Sequence, residues 1–480
     1  MFHWPTTLGL HALVGVVLTV VILLTKRRPV SAVLWLVTVW AFPLLGALVY
    51  LSFGLDQVPR GARERAEASR ILAESLPDVE DAREAGNGAE TPTTPRLVPV
   101  PVDPARGVYP PTSGNRVDLL VDGDEFYPAL FDAVASASDS VHVQSFIVAP
   151  DGVGRRLLDL LAERARAGVC TRLLYDRFGS TAAHYSGFFR DAERAGVGVS
   201  SITQAHPLRG RFQVNLRNHR KVAVVDGAVG FVGGINFSEA NRSEPDHPRT
   251  IRDYHVRLTG PAVRGLQTQF LLDWFFATRE GPETLTARSL LPDLPVCGDA
   301  AVQVVSGGPA PESSTTADVI FGLISEARQS VTIVTPYFVP DEATLQVIRH
   351  AAMAGRDVRL LVPEHGNHFY AELAGRSLYQ ELLDAGVQIF ERAPPFMHAK
   401  ALLIDERIVM LGSANMDYRS LHLNFETAVV AEGPAVAGEL AAQIRRDLDA
   451  ARELTPERHA ARGYAARLME NFCYLFQPLL

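Results

Sequence analysis

The sequence predicts an α/β protein made of two tandem copies of one domain. Each copy is a mixed sheet flanked by helices, the two are related by a pseudo-twofold axis, and an N-terminal transmembrane helical hairpin precedes them. Three observations predict this. First, segments recur in one order along the chain. SVHVQSFIVAPD (Ser140–Asp151) returns as SVTIVTPYFVPD (Ser330–Asp341), and AGVCTRLL at Ala167 returns as AGRDVRLL at Ala354. AGV at Ala195 returns at Ala385, and GPAV at Gly260 returns at Gly433. Colinear self-similarity is the mark of a duplicated domain. Second, apolar β-rich runs alternate within each copy with amphipathic stretches such as 155–167 and 343–355, the pattern of a sheet covered by helices. Third, two apolar runs, 8–24 and 31–53, lie ahead of both copies.

From the N-terminus, the first apolar run is broken only by threonine, glycine and His11. A bilayer span needs about 20 such residues. A cleaved signal peptide fits poorly, because MFHWPTT has no basic start and no small-residue cleavage site follows. Three of the four tryptophans (Trp4, Trp35, Trp40) fall here, Trp4 and Trp35 being expected near helix ends, where interfacial rings are favoured. Residues 1–55 are therefore expected to form the hairpin, with spans of about 8–25 and 31–53 joined by the loop KRRPV. Lys26, Arg27 and Arg28 in that loop nearly balance Arg60, Arg63, Arg65 and Arg70 after it. The charge rule for orientation thus discriminates little; a cytosolic catalytic part on a bacterial plasma (inner) membrane is expected. Residues 56–115, polar and then proline-rich, read as a linker. The two domains are expected at 116–295 and 296–480. The tail ENFCYLFQPLL is apolar enough to pack on the domain or on a membrane surface, and both readings stand.

A content of 47% hydrophobic and 21% charged residues is that of a globular chain. The formal charge of −8 disfavours nucleic acid as a partner. Cys170, Cys297 and Cys473 are odd in number and far apart, which argues against a disulfide framework or a zinc site.

The chemistry-bearing signal is lysine. Of 46 basic residues only three are lysine, Lys26, Lys221 and Lys400, and two of these stand in one pattern. NHRKVAVVDG carries His219, Lys221 and Asp226; MHAKALLIDE carries His398, Lys400 and Asp405. Residues two apart on a strand face the same way, so each histidine shares a face with its lysine. Asp226 and Asp405 fall at hairpin turns, where capping within the scaffold is the expected physical role. After six more residues come GGIN (Gly233–Asn236) and GSAN (Gly412–Asn415). Their small residues suit a close backbone approach, and Asn236 and Asn415 supply neutral donors. Asp253 and Glu426 each stand seven residues before a Gly-Pro; a carboxylate there can fix an imidazole tautomer.

HRKVAVVDGAVGFVGGIN and HAKALLIDERIVMLGSAN resemble the paired H-x-K-x4-D-x6-G-[GS]-x-N motifs of the phospholipase D superfamily. The RRP loop of the hairpin, YFVPDE (Tyr337–Glu342), NMDYRSLHLNFE and the PLL end are similar to bacterial cardiolipin synthases, over nearly the whole chain. The resemblance implies two phospholipase D-like domains and catalytic roles for His219, Lys221, Asp226, His398, Lys400 and Asp405. It implies His219 as nucleophile, forming a phosphatidyl-histidine, and His398 as general acid and then base; the residues themselves leave the reverse assignment open. Lys221, Lys400, Asn236 and Asn415 would hold the phosphate oxygens, with Asp253 and Glu426 orienting the histidines. Lysine offers a compact ammonium where charge grows on a phosphodiester, which arginine's planar fork delivers differently. Neither a metal nor another cofactor is implied. The implied reaction joins two phosphatidylglycerols into cardiolipin and glycerol, with membrane lipid as partner and protein partners undetermined. Rival readings are a phospholipase D or transferase using water or another alcohol, a nuclease, and a non-catalytic lipid-binding membrane protein. Arg209, Arg211, Arg217 and Arg220 could attract a headgroup or form a solvated loop. His255 and Tyr337 could line the site or serve the core.

Overall fold

The computed structural model describes residues 4–26, 29–42, 44–51, 96–202, 217–243, 250–281, 285, 290–309 and 314–477. The chain divides into two units, Met1–Arg60 and Gly61–Leu480. In the first, α1 (Trp4–Thr25) runs for 22 residues. The hydroxyls of Thr19 and Thr25 donate back to Gly15 O at 2.8 Å and Val21 O at 2.6 Å, which satisfies polar groups on an apolar helix. The expected span 31–53 is not one helix. α2 (Pro29–Ala41) stops and α3 (Leu45–Val49) starts after Leu44, whose φ of 58° is outside the helical range. Trp35 lies in the middle of α2 rather than near its end, with its ring edge-on to Tyr50 at 5.3 Å. Trp40 Nε1 donates to Thr19 Oγ1 at 3.0 Å and so ties α2 to α1. Val16, Val17, Val20, Leu23 and Leu24 of α1 and Val33, Leu34 and Val37 of α2 are exposed. Among the described side chains, which omit those of the first turns of α1, no helix is long and apolar enough to cross a membrane. Arg27, Arg28, the arginines at 60–70 and most of the expected linker lie outside the described residues.

The second unit is organised on one mixed sheet of fifteen strands. The first copy supplies β1 (Thr112–Val121), β2 (Ser140–Ser145), β3 (Cys170–Tyr175), β4 (Gly198–Ser201), β5 (Val222–Val225), β6 (Val229–Gly233), the short β7 (Ile251–Arg252) and β8 (Tyr254–Thr259). The second supplies β9 (Ala300–Gly307), β10 (Ser330–Val334), β11 (Phe338–Val339), β12 (Asp357–Pro363), β13 (Gln388–Arg392), β14 (Phe396–Met397), β15 (Ala401–Ile404), β16 (Ile408–Gly412), β17 (Met416–Asp417), β18 (Glu426–Glu432) and β19 (Ala451–Glu453). Outward from the antiparallel seam of β1 with β9, the order β1-β8-β6-β5-β2-β3-β4 is matched by β9-β18-β16-β15-β10-β12-β13, with β19 added at the edge. The duplicated sequence thus becomes one topology used twice about a pseudo-twofold axis at the seam.

Helices cover both faces, so the central strands carry unbroken apolar runs. In β18, Ala428 and Val430 join the core formed with Ile320 and Leu323, while Val429 and Ala431 pack with Val436, Leu440 and Ile444. One boundary differs from expectation. Leu97 and Val98 are buried in the second copy's core, and Tyr109 N–H donates to Val304 O at 3.1 Å. The last part of the residues read as linker, 96–115, is therefore folded into this unit, and β1 starts at Thr112 rather than after residue 115.

Candidate active site

Each H-x-K segment is the extended lead-in to a hairpin, β5–β6 or β15–β16. The backbone docks each lead-in on the opposite copy. His219 N–H donates to Phe425 O at 3.0 Å, just before β18. His398 N–H donates to Arg252 O at 2.7 Å, where β14 runs parallel to β7. This crossing brings each imidazole to the other copy's acid. His219 Nδ1 lies 3.0 and 3.1 Å from the Glu426 carboxylate oxygens and 3.1 Å from Ser413 O. His398 Nδ1 lies 2.6 Å from Asp253 Oδ2. A carboxylate only accepts, so toward Glu426 and Asp253 each Nδ1 donates and Nε2 keeps its lone pair; Lys400 Nζ also lies 2.8 Å from His398 Nδ1, and the shorter contact with Asp253 sets the tautomer there. Among the described residues neither Nε2 has a protein hydrogen-bond partner within the site.

Burial lowers the basicity of His219, Lys221 adds to this, and Glu426 opposes it. His398 is brought down to about 4, by burial first and then by Lys400, against Asp253. Both imidazoles are therefore neutral near pH 7. Burial would raise the Glu426 carboxyl, but His219, Lys221 and the Ser413 hydroxyl together hold it below its ordinary value. Asp253 is held low in the same way by Lys400 and His398.

The lysines stand beside their histidines. Lys221 Nζ donates to His219 O at 2.7 Å and lies 5.4 Å from the centroid of Phe146. Lys400 Nζ donates to His398 O and is 3.7 Å from Asp253 Oδ2. Burial depresses Lys221 to about 7 and Lys400 to about 8. A lysine with a lowered pKa loses its charge early as pH rises. The expected result is a kcat/KM for an anionic diester that falls through pH 7–8, far below the ordinary lysine value of 10.5. A pH–rate profile checks this, and a plateau lasting to the ordinary lysine range would contradict it.

The glycine-rich elements serve the acids rather than a direct ligand approach. A Cβ at Gly234 would meet Asp253 Oδ1 at 2.1 Å, so only glycine leaves room for that carboxylate. Ser413, at the same place in the second copy, instead donates its hydroxyl to Glu426 Oε2 at 2.5 Å. Asn236 accepts from Ile147 N–H at 3.2 Å through Oδ1. Asn415 turns its Nδ2 onto Asp417 Oδ2 at 3.0 Å, while its buried Oδ1 has no partner. That bond uses one of the two Nδ2 hydrogens of Asn415.

Asp226 and Asp405 stand at the hairpin turns, where they bond to the scaffold. Asp226 accepts from the backbone N–H groups of Ser138, Asp139 and Ser140 at 2.8–2.9 Å. Asp405 accepts from those of Arg328, Gln329 and Ser330 at 2.7–3.1 Å. Each sits at the far end of its hairpin strand and pins the start of β2 or β10. These bonds hold both carboxyls below their ordinary range despite burial. Asp226→Asn is expected to cost about 1–3 kcal/mol of stability while leaving turnover of the folded fraction within about twofold. Denaturation and kinetics on one preparation check this; normal stability with lost turnover would contradict it.

The basic residues before the first motif divide. Arg209 and Arg211 lie outside the described residues. Arg217 stands 4.1 Å from the centroid of Phe178. Arg220 is no headgroup attractor: it is fully buried, bonded to Asp273, Glu426 O and Gly307 O. His255 is a core residue, stacked on Phe126 at 4.1 Å and pushed to about 3 by burial. Tyr337 sets its ring edge-on to His398 at 6.4 Å, and in the other copy Phe146 does so to His219 at 5.0 Å. Reading the sequence did not single out Phe146, Ser413 or Asn424, which donates to Glu426 Oε1 at 3.3 Å. Phe146 lies in the repeated strand segment and Ser413 inside GSAN, so a signal existed for both. Among the described residues no cluster of three or more His, Cys, Asp or Glu is placed to hold a metal ion.

Comparison with known proteins agrees with this geometry. Residues 130–256 and 320–448 match the family described as cardiolipin synthase, PLD-like domain, and residues 13–54 match phospholipase D-nuclease N-terminal. Cardiolipin synthase A of Pseudomonas putida (strain W619) is 34% identical over 490 residues, covering 100% of this chain and 99% of the relative. Cardiolipin synthase A of Pseudomonas aeruginosa (strain LESB58) is 37% identical, covering 97% and 94%. Among solved structures, a phosphatidylserine synthase of Haemophilus influenzae Rd KW20 shares the fold, with a TM-score of 0.57 at 15% identity over 76% of this chain and 95% of that one. Two copies of one topology, an H-x-K in each, and full-length relatives of one kind place the chain in the cardiolipin synthase family of the phospholipase D superfamily.

Proposed function

We infer that the protein is a membrane-associated phosphatidyltransferase that joins two phosphatidylglycerols into cardiolipin and releases glycerol. The observation that carries this is the crossed pair of imidazoles, each with its Nδ1 held by the other copy's carboxylate and a lysine beside it. Such a site can handle one phosphodiester from two sides. His219 Nε2 attacks phosphorus as the bond to the first glycerol breaks. His398, protonated as the anionic diester offsets its low basicity, gives its proton to the leaving oxygen. The terminal hydroxyl of a second phosphatidylglycerol then loses its proton to His398 as its oxygen attacks phosphorus. The P–N bond breaks and both imidazoles return to their starting state. Lys221, Lys400 and Asn236 supply charge and donors to the non-bridging oxygens.

The exposed apolar side chains of α1 and α2 favour a lipid surround for the first unit, since apolar surface facing water on this scale is unusual. In this reading the unit is a multi-pass anchor in the plasma membrane with the catalytic unit on the cytosolic side, and the domains are 116–295 and 296–480 with residues 96–115 added to the folded part. Purified protein incubated with phosphatidylglycerol vesicles is expected to yield cardiolipin and free glycerol in equal amounts. Phosphatidic acid as the main product would contradict the transfer reading in favour of hydrolysis.

A further inference from the structure

The C-terminal helix Tyr464–Tyr474 leaves most of its large apolar side chains exposed. Its inward face carries Glu470, bonded to Arg462 at 2.5 Å, and Cys473, packed on Val339 and Ala374. Its outward face carries Tyr464 (89% exposed), Leu468 (67%) and Phe472 (53%), continued by Leu475 (73%). A helix resting on a soluble domain buries its apolar stripe; here Cys473 and Tyr474 pack inward beside the buried Glu470, while Tyr464, Leu468 and Phe472 are left exposed. Arg467 is exposed among these apolar residues.

This face is joined to the mouth of the site. Gln477 Nε2 donates to Pro340 O at 2.5 Å, which fixes the helix end three residues from Tyr337. Tyr337 stands 6.4 Å from His398 on one side and 5.7 Å from His368 on the other, and His368 stacks on Tyr370 at 5.5 Å. Phe369 beside it is 69% exposed. A row of rings therefore leads from the reacting imidazole to the apolar surface.

We propose that the outward face of helix Tyr464–Tyr474, with Phe369 and Tyr370, is a membrane seat that lies in the interface of an anionic phospholipid bilayer and sets the site's mouth against it. The occupant follows from chemistry on the page: a diacyl substrate reaches His398 only by leaving a lipid phase, and arginine among apolar side chains suits anionic headgroups. The inference rests on the lipid substrate proposed above.

The test places a photo-crosslinking amino acid at Phe472 in the otherwise unaltered full chain, reconstituted in phosphatidylglycerol vesicles. A peptide containing position 472 and bearing the mass of one phospholipid is expected. Adducts to a second chain, to residues 1–60 of the same chain, or to nothing overturn the seat. In a second arm, Leu468→Glu with Phe472→Glu is expected to lower turnover of vesicle lipid about tenfold and leave turnover of short-chain phosphatidylglycerol dissolved as monomers unchanged. Equal effects on both forms overturn it. The crosslink reads contact and not product, so a chain that labels with lipid yet makes no cardiolipin keeps the seat and loses the proposed function.

Discussion

Replacing His219 or His398 with alanine is expected to lower phosphatidyl transfer by about 10⁴-fold or more, with the folded state intact, because each supplies a bond-making or proton-moving atom that nothing else replaces. The crossed geometry extends this to two residues in the opposite copies. Glu426→Gln puts an amide where His219 Nδ1–H now meets a carboxylate. An amide can donate as well as accept, so the wrong tautomer becomes available; a loss of about 10³–10⁴-fold in kcat is expected, by analogy with other imidazoles deprived of their orienting acid. Asp253→Asn should act likewise on His398. Glu426→Gln acts on the nucleophile and His398→Ala on the proton donor of one and the same step, so both should slow formation of the covalent adduct. Rapid-quench kinetics of lipid labelling checks this. Equal adduct formation in wild type and Glu426→Gln would show that the crossing has no catalytic consequence.

Arg220→Met is expected to destabilise the second unit by about 3–5 kcal/mol, the cost of leaving a buried charge without its partner. Arg220 has no exposed surface, and its guanidinium joins Asp273 of helix Val263–Thr278 to the carbonyl oxygens of Glu426 and Gly307 in the other copy. Asp273 in turn accepts from Gln144 Nε2 at 2.9 Å. Removing the arginine takes the cationic partner from the Asp273 carboxylate and a donor from both carbonyls, and loosens the strand end that carries Glu426. The paired change Arg220→Met with Asp273→Leu should recover much of the loss, since no unpaired charge remains. Denaturation midpoints of the three proteins check this. A single variant as stable as the wild type would mean that water already reaches the pair.

The duplication, the α/β class and the histidine and lysine positions were legible because they depend on local spacing. Alternation brings His219 beside Lys221, and repeated segments became matching strands. The turn chemistry of Asp226 and Asp405 was readable as scaffold for the same reason. What depended on meetings between the two copies was hidden. No spacing tells that Glu426 serves His219 while Asp253 serves His398, because that pairing arises from the lead-in segments docking across the seam. Arg220 looked like one more basic residue in a polar run, and its burial follows from Asp273 on a distant helix. The proline-rich stretch looked like linker to its end, yet Leu97 and Val98 find a core that only the folded second copy provides. The second apolar run holds no charged residue, yet it divides into α2 and α3.

The most direct test is to quench the enzyme during turnover with phosphatidylglycerol labelled in its phosphate and to map the label on the chain. A single phosphatidyl group on His219, absent from His398 and chased into cardiolipin by unlabelled phosphatidylglycerol, is the result expected of two imidazoles sharing one phosphorus. Label on both histidines in one chain would contradict it, as would turnover with no histidine labelled.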